Sequence, residues 1–94
     1  MTKPVRERDI EAYLVKQVKA AGGEIRKVKW IGRRGAPDRR VMMPGRCCWV
    51  ELKRPGLDAT DNQAREHARM RSQGETVLVI DSAIAVDLFM EGLL

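Results

Sequence analysis

WVELKRP, residues 49–55, reads as the end of a buried strand that carries two charges. Side chains in a strand alternate faces, so Glu51 and Lys53 point one way and Leu52 the other. Trp49 and Val50 lead into the pair, and Arg54-Pro55 turn the chain away. Upstream, residues 39–43 form a second apolar-rich run. Pro44-Gly45-Arg46 separates it from 47–53, which together read as a hairpin. A turn centred near Gly45 pairs Glu51 with Arg39. Asp38 then lies within about 5–8 Å of Glu51 and Lys53, measured between Cβ atoms. Two carboxylates and a lysine converge at one end of a sheet.

The chemistry that uses such a set is metal-assisted phosphodiester hydrolysis. Mg²⁺ is a hard cation, held by one or two carboxylates plus water and substrate phosphate. Asp38 and Glu51 are candidate ligands. A bound cation polarises the phosphoryl group and lowers the pKa of an attacking water. Lys53 is placed to orient or deprotonate that water, or to stabilise charge on the phosphate.

Charge distribution points to the same partner. The 94 residues carry a net charge of +5. Residues 24–54 hold ten lysines and arginines against three acidic residues, a local +7, while residues 55–94 sum to −4. A basic excess concentrated around WVELKRP suits a polyanion such as nucleic acid. No apolar run reaches membrane-span length, and MTKPVRERDIEAYL lacks the apolar core of a secretory signal. The two cysteines, Cys47 and Cys48, are adjacent. Strand neighbours face opposite ways and make a poor disulfide, so both read as small buried residues in a reducing, cytoplasmic setting.

The remaining chain supplies the scaffold. Ile10, Leu14, Val18 and Ala21 mark a helix over residues 9–21, stopped by Gly22-Gly23. EIRKVKWI, residues 24–31, is a strand with a basic outer face, and GRRGAP and RPGLDAT are loops. Residues 61–73 form a polar helix ended by Gly74. Thr60-Asp61-Asn62-Gln63 opens it with a capping-box pattern. ETVLVI, residues 75–80, runs into the wholly apolar VLVI and reads as a central strand. DSAIAVDLFMEGLL opens a last helix with Asp81 or Ser82 as cap. The order is α-β-β-β-α-β-α, one α/β domain over residues 1–94 with a small mixed sheet flanked by helices. His67, among charged neighbours, is expected at the surface. Trp30 and Trp49 are expected in the core, and Arg33, Arg34, Arg39, Arg40, Arg46 and Arg54 at the surface. Gly35 offers backbone that can approach a phosphate closely.

Pro37-Asp38 followed thirteen residues later by Glu51-Leu52-Lys53 resembles the PD-(D/E)XK nuclease signature. The segment RRGAPDRRVMMPGRCCWVELKRPG is more closely similar to the VRR-NUC branch, with its G-x-PD, short hairpin and E-L-K-x-P-G. The similarity extends over nearly the whole chain, from a glutamate in the first helix to a glutamine opening the helix after E-x-K. It implies a restriction-endonuclease-like core and a Mg²⁺- or Mn²⁺-dependent nuclease. Stand-alone members of this branch are compact, many come from phages, and they are similar in outline to Holliday-junction resolvases. Those resolvases act on branched DNA as homodimers, which implies the same partner and assembly here.

Residue by residue, the resemblance makes Asp38, Glu51 and the backbone carbonyl of Leu52 metal ligands. It makes Lys53 the catalytic lysine and Gln63 a supporting residue of the site. For the helix glutamate, RERDIEAYL offers Glu7 and Glu11. Glu7 fits the E-x-x-I pattern with Ile10 and is preferred. Arg33, Arg34 and Arg54 flank the site in loops and are the first candidates for phosphate contacts.

Two other functions compete with cleavage. A nucleic-acid-binding module without catalysis disagrees with the intact Asp38, Glu51 and Lys53. It is separated from a nuclease by metal-dependent product formation. A metal-free ribonuclease needs a general acid and base, for which His67 and Tyr13 are thin material. Chelator sensitivity separates that one.

Overall fold

The computed structural model describes residues 4–94. Its elements are α1 Glu7–Ala20, β1 Glu24–Lys27, β2 Arg39–Met43, β3 Arg46–Leu52, α2 Asp61–Ser72, β4 Val77–Ile80 and α3 Ala83–Met90. The order is the expected one. The sheet runs β1-β2-β3-β4, antiparallel through the first three strands and parallel between β3 and β4. A parallel neighbour requires a crossover, and α2 provides it.

The core lies on one face of the sheet. Ile10, Leu14 and Val18 recur every fourth residue of α1 and are all buried. They pack with Val41, Cys48, Val50, Leu52, Ile80 and, from α3, Val86 and Phe89. The Tyr13 hydroxyl donates to Asp87 at 2.6 Å and ties α1 to α3. α3 is capped by Ser82, whose hydroxyl accepts from the Ala85 N–H at 3.0 Å. Along β3, Trp49, Glu51 and Lys53 alternate with the core residues Cys48, Val50 and Leu52, so they face the opposite side. α2 covers that side, and its Arg71 donates twice to the Val77 carbonyl, at 3.1 and 2.7 Å.

Register decides where the site forms. Met43 pairs with Arg46, leaving Pro44-Gly45 as a two-residue loop. Gly45 has φ 75°, and proline followed by a left-handed glycine is the pattern of a type II turn. Arg39 consequently pairs with Val50 rather than with Glu51. The hairpin is one residue tighter than expected, and extending its register sets Asp38 opposite Glu51. A one-residue slip exchanges faces, so this register keeps Asp38 on the Glu51 side.

Several expectations are corrected. β4 lies at the edge of the sheet rather than its centre. Its apolar run reflects cover on both faces: Leu78 packs on the core side, and Val77 is buried beside α2. Cys47 is exposed, because alternation turns it away from buried Cys48. Arg39 is only 6% exposed. It sits opposite Val50 on the core face and is salt-bridged there to Glu11 of α1 and, at 2.9 Å, to Asp38. Trp30 and Trp49 are half-buried and lie outside the core. Their rings pack against each other at a tilt of 50°, with centroids 5.1 Å apart.

Candidate active site

The site grows from the end of β3 on the α2 side of the sheet. Glu51 is 8% exposed, and no donor among the described residues hydrogen-bonds its carboxylate. Burial pushes its carboxyl up to about 7, from an ordinary 4.5. The like charge of Asp38 pushes the same way, as does that of Glu7, while Lys53 and Arg39 oppose. The charged side chains that act on Glu51 are thus those of Asp38, Lys53, Glu7 and Arg39. Glu11 is turned to Arg39 instead. Glu7 lines a cleft with Arg54, Pro55 and Gly56, which brings the start of α1 beside the loop that leaves β3.

Backbone geometry adds an oxygen. The Trp49 and Lys53 N–H groups donate to Thr76 and Ile80 of the β4 side, at 2.9 and 3.0 Å. Leu52, one step out of phase, therefore directs its carbonyl toward β2. There the extended register places Pro37, which has no N–H to offer. The side chain of Leu52 is in the core, and its carbonyl is left without a ladder donor.

The donor set fits a hard divalent cation. It is all oxygen, its carboxylates repel one another, and Glu51 is buried without a hydrogen-bond donor. Among the described residues, no three His, Cys, Asp or Glu side chains are grouped closely enough to hold a metal ion. A cation here would be held by Asp38, Glu51 and the Leu52 carbonyl, with water and substrate phosphate completing its shell.

His67 is the residue that the sequence misplaced. It is 1% exposed, with Nε2 3.7 Å from a Glu51 oxygen and without a hydrogen-bond partner. Burial, followed by the nearby charge of Arg71, holds its imidazole below the ordinary range, with Glu66 opposing. The polar neighbours of His67 in sequence hid its position, although its spacing did not. Gln63 and His67 are four apart and share one helix face.

Gln63 itself closes the capping box. Its side-chain oxygen accepts from the Thr60 N–H at 2.9 Å, and its own N–H donates to the Thr60 hydroxyl at 3.2 Å. Gly35 packs against this first turn of α2. It has φ 78°, and a Cβ there would lie 2.6 Å from the Asn62 carbonyl oxygen. The close approach that needs glycine is therefore to α2 rather than to a phosphate. Gly35→Ala is expected to destabilise the fold by on the order of 2–4 kcal/mol, combining left-handed strain with a backbone clash. Chemical denaturation checks this, and an unchanged midpoint contradicts it.

Arg34 and Arg54 are exposed and in no ion pair among the described residues. Arg33 is exposed but approaches Glu66 at 3.4 Å. Glu66 is 3% exposed and also receives Arg69 at 2.9 Å. Of the other arginines, Arg40 is half-buried over the Trp49 ring, 4.9 Å from its centroid. Arg46 is likewise half-buried and donates to the Phe89 and Leu94 carbonyls at 2.7 and 2.8 Å.

A mixed sheet flanked by helices, with PD and E-x-K brought together at one strand end, defines a restriction-endonuclease-like domain. No family model matches the chain. "Putative nuclease p44" of Acyrthosiphon pisum secondary endosymbiont phage 1 is 47% identical over 79 residues, covering 83% of this chain and 85% of that protein. A solved structure described as "VRR_NUC domain" is 37% identical with a TM-score of 0.83, over 90% of this chain and 94% of that one. The chain belongs to the VRR-NUC nuclease family, as a phage-type member. No helix among the described residues is long and apolar enough to cross a membrane.

Proposed function

We propose that the protein is a metal-dependent DNA endonuclease using Mg²⁺ or Mn²⁺. The observation that carries this reading is the buried, donor-free Glu51 carboxylate facing Asp38 and Lys53. Asp38, Glu51 and the Leu52 carbonyl would hold the cation. When bound, it supplies Lewis-acid polarisation of the phosphoryl oxygen and an acidified water. Lys53 orients that water or accepts its proton, and its charge offsets that of the phosphate. Glu7 positions water from the α1 side. Gln63 and His67 act from α2, with His67 Nε2 standing 3.7 Å from a Glu51 oxygen. Arg33, Arg34 and Arg54 hold phosphates on either side of the cut.

Within this reading the substrate is branched DNA, in line with the resemblance to junction resolvases, and the working form is a homodimer. Exposed Ile84, Leu88, Leu93 and Leu94 are the apolar surface that supports a dimer. Sedimentation at micromolar concentration reads the oligomeric state, and a monomer counts against it.

The test is cleavage of labelled four-way junction, flap, duplex and single-stranded DNA with Mg²⁺, Mn²⁺ or EDTA. Products are expected only with metal, and most from a branched substrate. If every substrate is bound and none is cut with either metal, the protein is a binding module without catalysis. Products formed in EDTA point instead to metal-free chemistry.

A further inference from the structure

A cleft of about 570 Å³ opens beside the site, lined by Lys27, Lys29, Trp30, Arg33, Gly35 and Asp38. Its volume is within the range of about 300–1,000 Å³ that pockets use to enclose one small ligand. Lys27 and Lys29 are exposed and enter no ion pair among the described residues. Trp30 and Asp38 both form part of its wall.

Two hydrogen bonds fix this cleft relative to the catalytic carboxylates. The Val28 N–H donates to the Asp38 carbonyl at 2.8 Å, holding the Lys27–Lys29 segment alongside Asp38. The Trp30 indole N–H donates to the Pro37 carbonyl at 2.8 Å. The indole is thus anchored by its edge and braced on Trp49 behind. An aromatic ring beside unpaired cations is what a base-stacking platform requires.

We infer that this cleft binds an unpaired DNA strand next to the scissile phosphate, with a base stacked on Trp30 and its phosphates on Lys27, Lys29 and Arg33. The inference rests on the reading of Asp38 and Glu51 as the cleavage site, and it adds the form of DNA that enters. Bases inside a duplex already stack on their neighbours and have no free face for an indole. A strand released at a flap or branch has one. The cleft therefore favours substrates with unpaired nucleotides beside the cut.

Binding in EDTA separates this inference from the cleavage reading, because nothing is cut. The anisotropy of labelled oligo-dT, a flap and a fully paired duplex is measured with wild type, Trp30→Leu, Trp30→Phe and the double variant Lys27→Ala/Lys29→Ala. Trp30→Leu is expected to weaken oligo-dT and flap binding by about five- to a hundredfold, and to leave duplex binding nearly unchanged. Trp30→Phe keeps a ring but loses the bond to Pro37, and it should restore most of the affinity. The lysine pair should flatten the dependence of log affinity for oligo-dT on log salt by about 1.4. Equal losses on duplex and single strand, or wild-type oligo-dT binding by Trp30→Leu, overturn the inference and make Trp30 a packing residue. Should Trp30→Leu fail to fold by circular dichroism, Trp30→Phe and the lysine pair still decide. An unchanged salt slope in the lysine pair overturns it as well. Failure of wild type to cleave with metal touches only the cleavage reading.

Discussion

Lys53→Ala is expected to lower the cleavage rate by about a hundred- to ten-thousandfold, the range lost when a positioned proton-transfer group is removed. The fold should survive, because what Lys53 gives to the sheet is its backbone N–H, bonded to Ile80 at 3.0 Å. Its ammonium, ahead of Arg39, offsets the charge of Glu51 against Asp38 and Glu7. Removing it adds no steric conflict and takes no ligand from the cation. Mn²⁺ affinity, read by calorimetry, should therefore stay the same or rise while turnover collapses. Lys53→Arg separates the two roles. Arginine keeps the charge but is protonated at all working pH values and cannot accept a proton from water. Rescue by arginine assigns charge stabilisation, and failure of rescue assigns proton transfer. Activity within tenfold of wild type in Lys53→Ala contradicts both.

Glu51→Gln is expected to make the metal-free protein more stable at pH 8 and to abolish its response to metal. The Glu51 carboxyl sits at about 7 in the fold, against an ordinary 4.5. Between those values the folded chain holds a proton that the unfolded chain has lost. The stability this group provides is complete below about pH 4.5 and disappears as pH rises through 7. The difference is on the order of 3 kcal/mol, worth roughly 12–24 °C in the melting temperature of a domain this size. In EDTA the variant should melt above wild type at pH 8, with the gap closing towards pH 5. The depressed imidazole of His67 acts in the opposite direction below its ordinary range, and taking the difference between the two proteins largely removes it. Metal should reverse the order at pH 8: Mn²⁺ raises the melting temperature of wild type and leaves Glu51→Gln unmoved. The Mn²⁺ effect on wild type should grow from pH 6 to pH 8, because the cation and the proton compete for one carboxylate. A flat difference between the two proteins across pH refutes the account of Glu51.

Much of this was legible in the sequence because it depends on local pattern. Alternation in WVELKRP sorted Glu51 and Lys53 from Leu52. Pro44-Gly45 announced the hairpin that folds Asp38 back, and four-residue spacing gave α1 its buried face. What escaped were facts set by packing between distant elements. The hairpin register missed by one residue, because the choice of a two-residue turn depends on the twist of the whole strand pair. Arg39 looked like one of six surface arginines. Its burial follows from standing opposite Val50 under α1, where Glu11 meets it. His67 lay in a polar helix whose average character concealed one inward face, and that face lies over Glu51. β4 reads as central by composition because an edge strand covered on both sides has the same apolar run.

The central claim is that Asp38 and Glu51 build a divalent-cation site at the end of β3. Its most direct test is a crystal grown with Mn²⁺ and measured at the manganese absorption edge. One anomalous peak is expected beside the carboxylates of Asp38 and Glu51 and the Leu52 carbonyl oxygen. A peak elsewhere, or none at saturating Mn²⁺, contradicts it.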